Sequence, residues 1–326
     1  MPKEQRVIFE AQDICKIESF TLPQAGPAEV RVRNLASLIS PGTELAVLRH
    51  RHRAFATGGR MANWVKYPFY PGYASVGIVE ETGKDVTELK AGDLVWHPSP
   101  HSTASVVAAE CCRLVPAGVA AEDAVFFGLA QIAMTSIRRA PSALGEKVLV
   151  SGLGLVGILC AQLYRIAGAD VAAADYSAGR LQRAKQFGCE TINLGAQSLE
   201  EWYAANPAAA PDLVIEAAGI ESNISACLKV AARGGRVVLL GSPRNTMEID
   251  PYTDIHLKGL TVIGAHEHTV SPEQRKLDVP CVFEVCGGAL QLSSIRTHVV
   301  PYVDAPLLYD QLEQNLDEYL AVVLTY

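Results

Sequence analysis

Short runs in which apolar and polar positions alternate fill the first third of the chain. RVIFE, EVRVRNLASLI, SVGIVEE and GDLVW each predict a strand, with turns such as Pro23 to Pro27 and Thr82-Gly83 between them. No stretch up to about Val119 has the apolar spacing of a helix of four turns. Residues 1–119 therefore read as a β-rich domain, a small barrel or half-barrel.

The pattern changes at Ala120. An Ala-rich helical stretch, AEDAVFFGLAQIAMTSIRRA, precedes a regular alternation of apolar strands and amphipathic helices. KVLVSG, DVAAAD, TIN, DLVIEAAG, GRVVLLG and GLTVIGA read as strands. LVGILCAQLYRIAG, AGRLQRAKQFG, SLEEWYAAN and ESNISACLKVAAR read as helices. Such alternation specifies a parallel sheet covered on both faces, and right-handed crossovers make it doubly wound. The predicted class is α/β, with this domain over 120–268. The remainder, 269–326, is mixed, and it ends in a helix (DAPLLYDQLEQN) and a strand (YLAVVLTY). There is no internal repeat.

Composition narrows the class. Of the 326 residues, 49% are hydrophobic and 19% charged, enough to bury two cores. The net charge is −7, and the nearest thing to a basic run is Arg49-His50-Arg51-His52-Arg53. That argues against a nucleic-acid face, while leaving room for a small basic pocket. No apolar run reaches the roughly 18 residues of a membrane span. The first residues, MPKEQRVIFEAQ, lack the apolar core of a signal peptide, and the eight cysteines are scattered. Reduced thiols in a cytoplasm are the expectation.

The chemistry begins at Gly152-Leu153-Gly154-Leu155-Val156-Gly157, which follows a strand and opens a helix. In such a Rossmann turn the first glycine permits the bend and the second lets the backbone approach a pyrophosphate. The third lets helix and strand pack closely, and the helix N-terminus faces the phosphates. Asp175 ends the second strand, 18 residues after Gly157, where a carboxylate accepts the ribose hydroxyls of NAD and repels a 2′-phosphate. Arg180, five residues on, can cover the adenine or help to accept that phosphate, so NADP(H) stays open beside NAD(H). Ala217-Ala218-Gly219 and Gly241-Ser242-Pro243 follow two later strands, where small residues let a nicotinamide lie against the backbone. Ordinary βα turns explain them equally well.

The order of β-rich domain, Rossmann domain and return segment resembles the medium-chain dehydrogenase/reductase superfamily, the relatives of zinc alcohol dehydrogenase. The markers are PGYASVGIVEETGKDV, LKAGDLV, KVLVSGLGLVG and GGRVVLLG, and the likeness covers nearly the whole chain. It implies a GroES-like first domain completed by the return segment. It also implies a homodimer paired through the last Rossmann strand, around Leu260 to Ala265.

The zinc pattern of that family is not kept. Where its zinc enzymes have a Cys in a stretch like G-I-C-G-T-D, this chain has Ile39-Ser40-Pro41-Gly42-Thr43-Glu44. Where they have G-H-E, it has Gly72-Tyr73-Ala74, and Phe127 to Gln131 holds no metal donor. No CxxC is present for a structural zinc, and His97 and His101 lie in a Pro-rich loop rather than on one helix face. The expectation is a member without zinc, since a catalytic zinc needs three converging donors.

Polarising a substrate oxygen then falls to side chains. Tyr73 replaces the zinc-ligand His and either donates to the substrate or fills the vacated volume. Thr43 matches the hydroxyl that relays protons in the zinc enzymes, Ser40 is its neighbour, and Glu44 matches an acid that is usually structural. His50, His52, His266 and His268 are possible bases, with solvated loop residues as the alternative. The segment from His50 to Tyr70 reads as a substrate-covering loop, with Arg60, Trp64 and Lys66 as contacts, or as an ordinary solvated loop. Three functions fit. They are a metal-free NAD(H) oxidoreductase of a hydroxyl or ketone, an NAD(P)H reductase of an activated C=C bond, and a dinucleotide-binding redox sensor without catalysis.

Overall fold

The computed structural model describes residues 3–57, 60–315 and 317–326. The chain forms two compact units, one of residues 1–128, 283–288 and 292–326, the other of 129–282 and 289–291.

In the first unit, β1 (Glu4–Ala11) pairs antiparallel with β2 (Ile14–Phe20). The alternation does not reveal β2, because ICKIESF puts Ile14 and Phe20 on the same face as Lys16 and Glu18 in a half-exposed ribbon. The main sheet is built around β3 (Glu29–Leu38), which pairs antiparallel with β4 (Ser75–Thr82), followed by β5 (Leu94–His97). A short β6 (Ala104–Ala108) also pairs with β3, and β7 (Arg113–Leu114) pairs with β5. Val30, Val32 and Val79 alternate inward from these strands, as the period-two pattern requires.

The Rossmann sheet lies wholly in the second unit. β8 (Lys147–Ser151), β9 (Asp170–Asp175), β10 (Glu190–Asn193), β11 (Leu213–Glu216), β12 (Arg236–Leu239) and β13 (Thr261–Gly264) run parallel in the order β10-β9-β8-β11-β12-β13. That is the doubly wound order, and it places the carboxyl ends of β8 and β11 at its switch point. All four residues of β11 are buried, as expected of a parallel strand covered on both faces.

The return segment completes the first unit. β14 (Arg296–Pro301) runs parallel to β15 (Ala321–Thr325), which pairs antiparallel with β3. The helix Ala305–Gln314 packs Leu308, Tyr309 and Leu312 against Val7, Phe9, Ile39, Val47 and Leu324. Two boundaries fall later than the sequence pattern placed them. The Ala-rich stretch is two helices, Ala121–Ala124 and Phe127–Arg139, and Phe127 stays with the first unit by packing on Trp96 and Phe283. The helix Pro272–Glu284 has no amphipathic period and carries Pro280 inside it, so no sequence rule marked it as helical.

The basic run does not form an open basic pocket around its half-buried arginine. Arg49 is held by Asp13, Asp310 and Glu313, and Arg51 also reaches Glu313. These acids come from the β1–β2 turn and the helix Ala305–Gln314, so the cluster ties three elements together.

Candidate active site

The turn after β8 carries out the three glycine tasks in geometry. Gly152 adopts φ +94°, and a Cβ there would lie 2.8 Å from the Ala218 amide nitrogen. At Gly157 a Cβ would lie 1.9 Å from the Gly152 carbonyl oxygen, so helix and strand meet backbone to backbone. At Gly154, the residue before the helix Leu155–Ile166, a Cβ would meet nothing within 4 Å. Gly154 thus borders open space at a helix N-terminus, where the first N–H groups of Leu155 and Val156 have no partner within the helix. These residues fit a pyrophosphate.

Asp175, at the end of β9, is buried. Its Oδ2 accepts from the Leu153 N–H at 2.6 Å and its Oδ1 from the Ser177 N–H at 2.9 Å. Each oxygen keeps a second lone pair for a ribose hydroxyl. The cap of the next helix is Ser177, which accepts from the Arg180 N–H, so Asp175 is not that cap. The Arg180 guanidinium lies 3.9 Å from Asp175 Oδ2.

Sequence reasoning missed the residue that ties the later strand ends together. Glu216 is fully buried at the end of β11, and its Oε1 accepts from Ala218 N–H at 2.9 Å, Gly219 N–H at 2.8 Å and Asn223 Nδ2 at 2.8 Å. Ser151 of β8 donates to Asn223 Oδ1 at 2.6 Å. Gly241 N–H bonds the Glu216 carbonyl, and a Cβ on Gly241 would lie 2.9 Å from Glu216 Oε2. One carboxyl thereby fixes the turns at Ala218 and Gly241. The signal was present, because a charged residue closing an otherwise apolar strand is uncommon.

In the first unit, Tyr73 OH donates to Ser40 Oγ at 2.5 Å. Ser40 N–H donates to Glu44 Oε1 at 2.9 Å. Glu44 is buried, and its Oε2 accepts from Tyr309 OH and faces His101 Nε2 at 3.2 Å. Ser37 Oγ lies 2.7 Å from His101 Nδ1 and 2.6 Å from Tyr326 OH. Burial and the nearby Glu44 carboxylate raise the Tyr309 phenol well above its ordinary value, so it remains a donor. Gly72 adopts φ +97° directly under the His101 ring, where a Cβ would lie 2.7 Å from Nδ1. Thr43 is half-buried one residue before Glu44, and its N–H donates to the Ser40 carbonyl.

Other candidates are placed less centrally. His50 is exposed and stacks on Phe55 with ring centres 3.9 Å apart. Trp64 is exposed and meets Phe69 edge-on, and Lys66 is exposed beside it. Residues 50–70 include a short helix at Ala54–Thr57 and a single turn at Arg60–Asn63, and the Arg60 side chain lies outside the described residues. His52 Nδ1 accepts from Ala54 N–H. His266 and His268 are exposed in the second unit, their rings 4.9 Å apart.

A zinc ion does not fit the donors at Ser40 and Tyr73, two hydroxyls bonded to each other. Among the described residues no three His, Cys, Asp or Glu side chains are grouped to hold a metal. His97 binds Ser99 and Asn34 through its two nitrogens, and burial pushes it down to about 3, so it is neutral.

Comparison with known proteins identifies the family. The family model described as "Alcohol dehydrogenase GroES-like domain" matches residues 26–151, and "Zinc-binding dehydrogenase" matches 156–284. Sorbitol dehydrogenase of Homo sapiens is 24% identical over 277 residues, covering 74% of this chain and 75% of its own. Galactitol-1-phosphate dehydrogenase of Escherichia coli superposes with a TM-score of 0.85 at 20% identity, covering 99% of this chain and all of that one. An alcohol dehydrogenase of E. coli CFT073, solved with NADH, superposes at 0.86 and 20% identity over the full length of both chains. The chain belongs to the zinc-type alcohol dehydrogenase-like branch of the medium-chain dehydrogenase/reductase superfamily and is an oxidoreductase of that type.

Proposed function

We propose that this chain transfers a hydride between NAD(H) and a hydroxyl or ketone carbon without zinc, using the Tyr73–Ser40 hydroxyl pair where its relatives place metal ligands. That pair, anchored through the Ser40 amide on buried Glu44, is the observation that carries the reading. The nicotinamide supplies the hydride acceptor or donor. Tyr73 and Ser40 supply hydrogen bonds to the substrate oxygen, the polarising role a Lewis acid plays elsewhere, and the proton lost on alcohol oxidation is relayed through these hydroxyls to solvent. Asp175, a carboxyl engaged by two backbone amides, favours NAD(H) over NADP(H) by repelling a 2′-phosphate. The relatives' names point to polyols as the substrate class.

The test is turnover of a polyol and ketone panel by chelator-dialysed protein with NAD(H) and with NADP(H). Activity is expected to survive dialysis, with NADH binding at least tenfold tighter than NADPH. Tyr73→Phe is expected to lower kcat about a hundredfold with NADH affinity unchanged. Stoichiometric zinc, or a Tyr73→Phe enzyme of full activity, overturns the mechanism. A C=C reductase would instead turn over enones alone, and a sensor would bind NADH and turn over nothing.

A second copy of the chain is the proposed partner, through the edge strand β13, where Val262 is 41% exposed and one edge of the strand is unpaired among the described residues. Val262→Lys is expected to convert a dimer into a monomer in analytical ultracentrifugation. A monomeric wild type contradicts this.

A further inference from the structure

Glu216 is at the carboxyl end of a central strand of the parallel sheet, where ligands of this fold bind. Its hydrogen bonding is lopsided. Three N–H donors converge on Oε1, whereas no donor reaches Oε2 among the described residues. Oε2 points at the backbone of Gly241, which opens the next strand-end turn. The carboxyl is thus wedged between the two turns whose small residues, Ala218 and Gly241, border the crevice.

A buried acid here costs free energy unless something offsets its charge. The N–H dipoles of Ala218, Gly219, Ile220 and Asn223 do part of this. No Lys, Arg or His hydrogen-bonds to it among the described residues, and the side chains beside it are Ser151, Asn223 and the Cys227 thiol. Burial and the Glu216 charge together raise Cys227, so it remains a neutral thiol. Burial also raises Glu216 above the ordinary carboxylate range. The missing compensation is a cation, and the two forms of a nicotinamide differ in that respect, the oxidised ring being positively charged and the reduced ring neutral.

We propose that Glu216 is a charge-selecting residue of the dinucleotide site, its buried carboxylate favouring the oxidised, cationic nicotinamide over the reduced, neutral one. This rests on the nicotinamide reading above. It makes binding of the oxidised form pH-linked. Where Glu216 is protonated in the free protein, binding NAD+ releases that proton to solvent, and binding NADH does not. Affinity for NAD+ therefore rises with pH through the Glu216 titration, relative to affinity for NADH. The adenosine and phosphates are common to both ligands, so the ratio of the two affinities isolates the ring.

The test is titration of the whole chain with NAD+ and with NADH from pH 5.5 to 9, by calorimetry and quenching of protein fluorescence. Wild type is expected to show a Kd ratio, NAD+ over NADH, that falls as pH rises. Glu216→Gln, whose carbonyl keeps the three N–H bonds, is expected to raise that ratio about tenfold at high pH and to flatten its pH dependence. A substitution that weakens both ligands equally makes Glu216 merely structural and overturns the proposal. If Glu216→Gln does not fold, the wild-type series decides, because a ratio constant across pH also overturns it. Failure to bind either ligand removes the nicotinamide reading itself and this inference with it, whereas two bound ligands with an unresponsive ratio remove this inference alone.

Discussion

Glu44→Ala is expected to cost the first unit about 3–5 kcal/mol, the range for breaking one side of a buried polar pair. The loss is large because one carboxylate serves three groups. Without it, the Ser40 N–H, the Tyr309 hydroxyl and His101 Nε2 are left without their partner in a dry interior. Glu44→Gln keeps an oxygen for Ser40 N–H and is expected to lose less. Urea unfolding followed by tryptophan emission reads this directly, since Trp64 and Trp96 lie in the first unit and Trp202 in the second. A midpoint shift confined to the Trp64 and Trp96 signal is expected. A loss below about 1 kcal/mol would show that the carboxylate is not what holds Ser40. The consequence for chemistry is a Tyr73–Ser40 pair released from its anchor, so turnover falls even where the variant remains folded.

The sheet and its order were legible because each of their determinants is local. The glycines Gly152, Gly154 and Gly157 fall within one six-residue turn, and the buried strand DLVIE carries its own apolar signature. Asp175 was legible from its place at the end of its own strand, although one of its two backbone partners, Leu153, lies 22 residues away. By contrast, β14 and the helix Pro272–Glu284 owe their form to packing. The helix lacks an apolar stripe and carries a proline, and only burial of Val282 and Phe283 selects it.

The polar cluster behind Ser40 was not legible, although two of its members were noticed. Tyr73 and Ser40 stood out as replacements of metal ligands, and Glu44 as a charge partner of unknown address. Its address is His101 and Tyr309, 57 and 265 residues away in the chain. Ser37 and Tyr326 close the same cluster across 289 residues, brought together because β15 pairs with β3. No periodicity or spacing rule reaches such distances. His101 had been weighed only as a metal donor, and both its ring nitrogens are committed to Ser37 and Glu44 instead. Glu216 is a different case, since its strand position was visible but its role depends on what the neighbouring turns leave unpaired.

Gly154→Ala and Gly157→Ala are expected to separate binding from folding at two positions only three residues apart. At Gly157 the new methyl would stand 1.9 Å from the Gly152 carbonyl oxygen and 3.2 Å from the Ala217 methyl. Both obstacles belong to backbone or to a side chain without rotamers, so helix Leu155–Ile166 must move off β8. Overpacking of that kind costs about 1–3 kcal/mol, and the shifted turn no longer aims its N–H groups at a phosphate. Loss of measurable NADH binding together with a lowered Trp202 unfolding midpoint is expected. At Gly154 the methyl meets nothing within 4 Å and the backbone sits at φ −59°, which alanine adopts freely. Stability should stay within about 0.5 kcal/mol, while the methyl occupies the space a pyrophosphate needs, and NADH binding weakens at least tenfold. If Gly154→Ala binds NADH as wild type does, the open space beside that turn is not the phosphate site, whatever its resemblance to one.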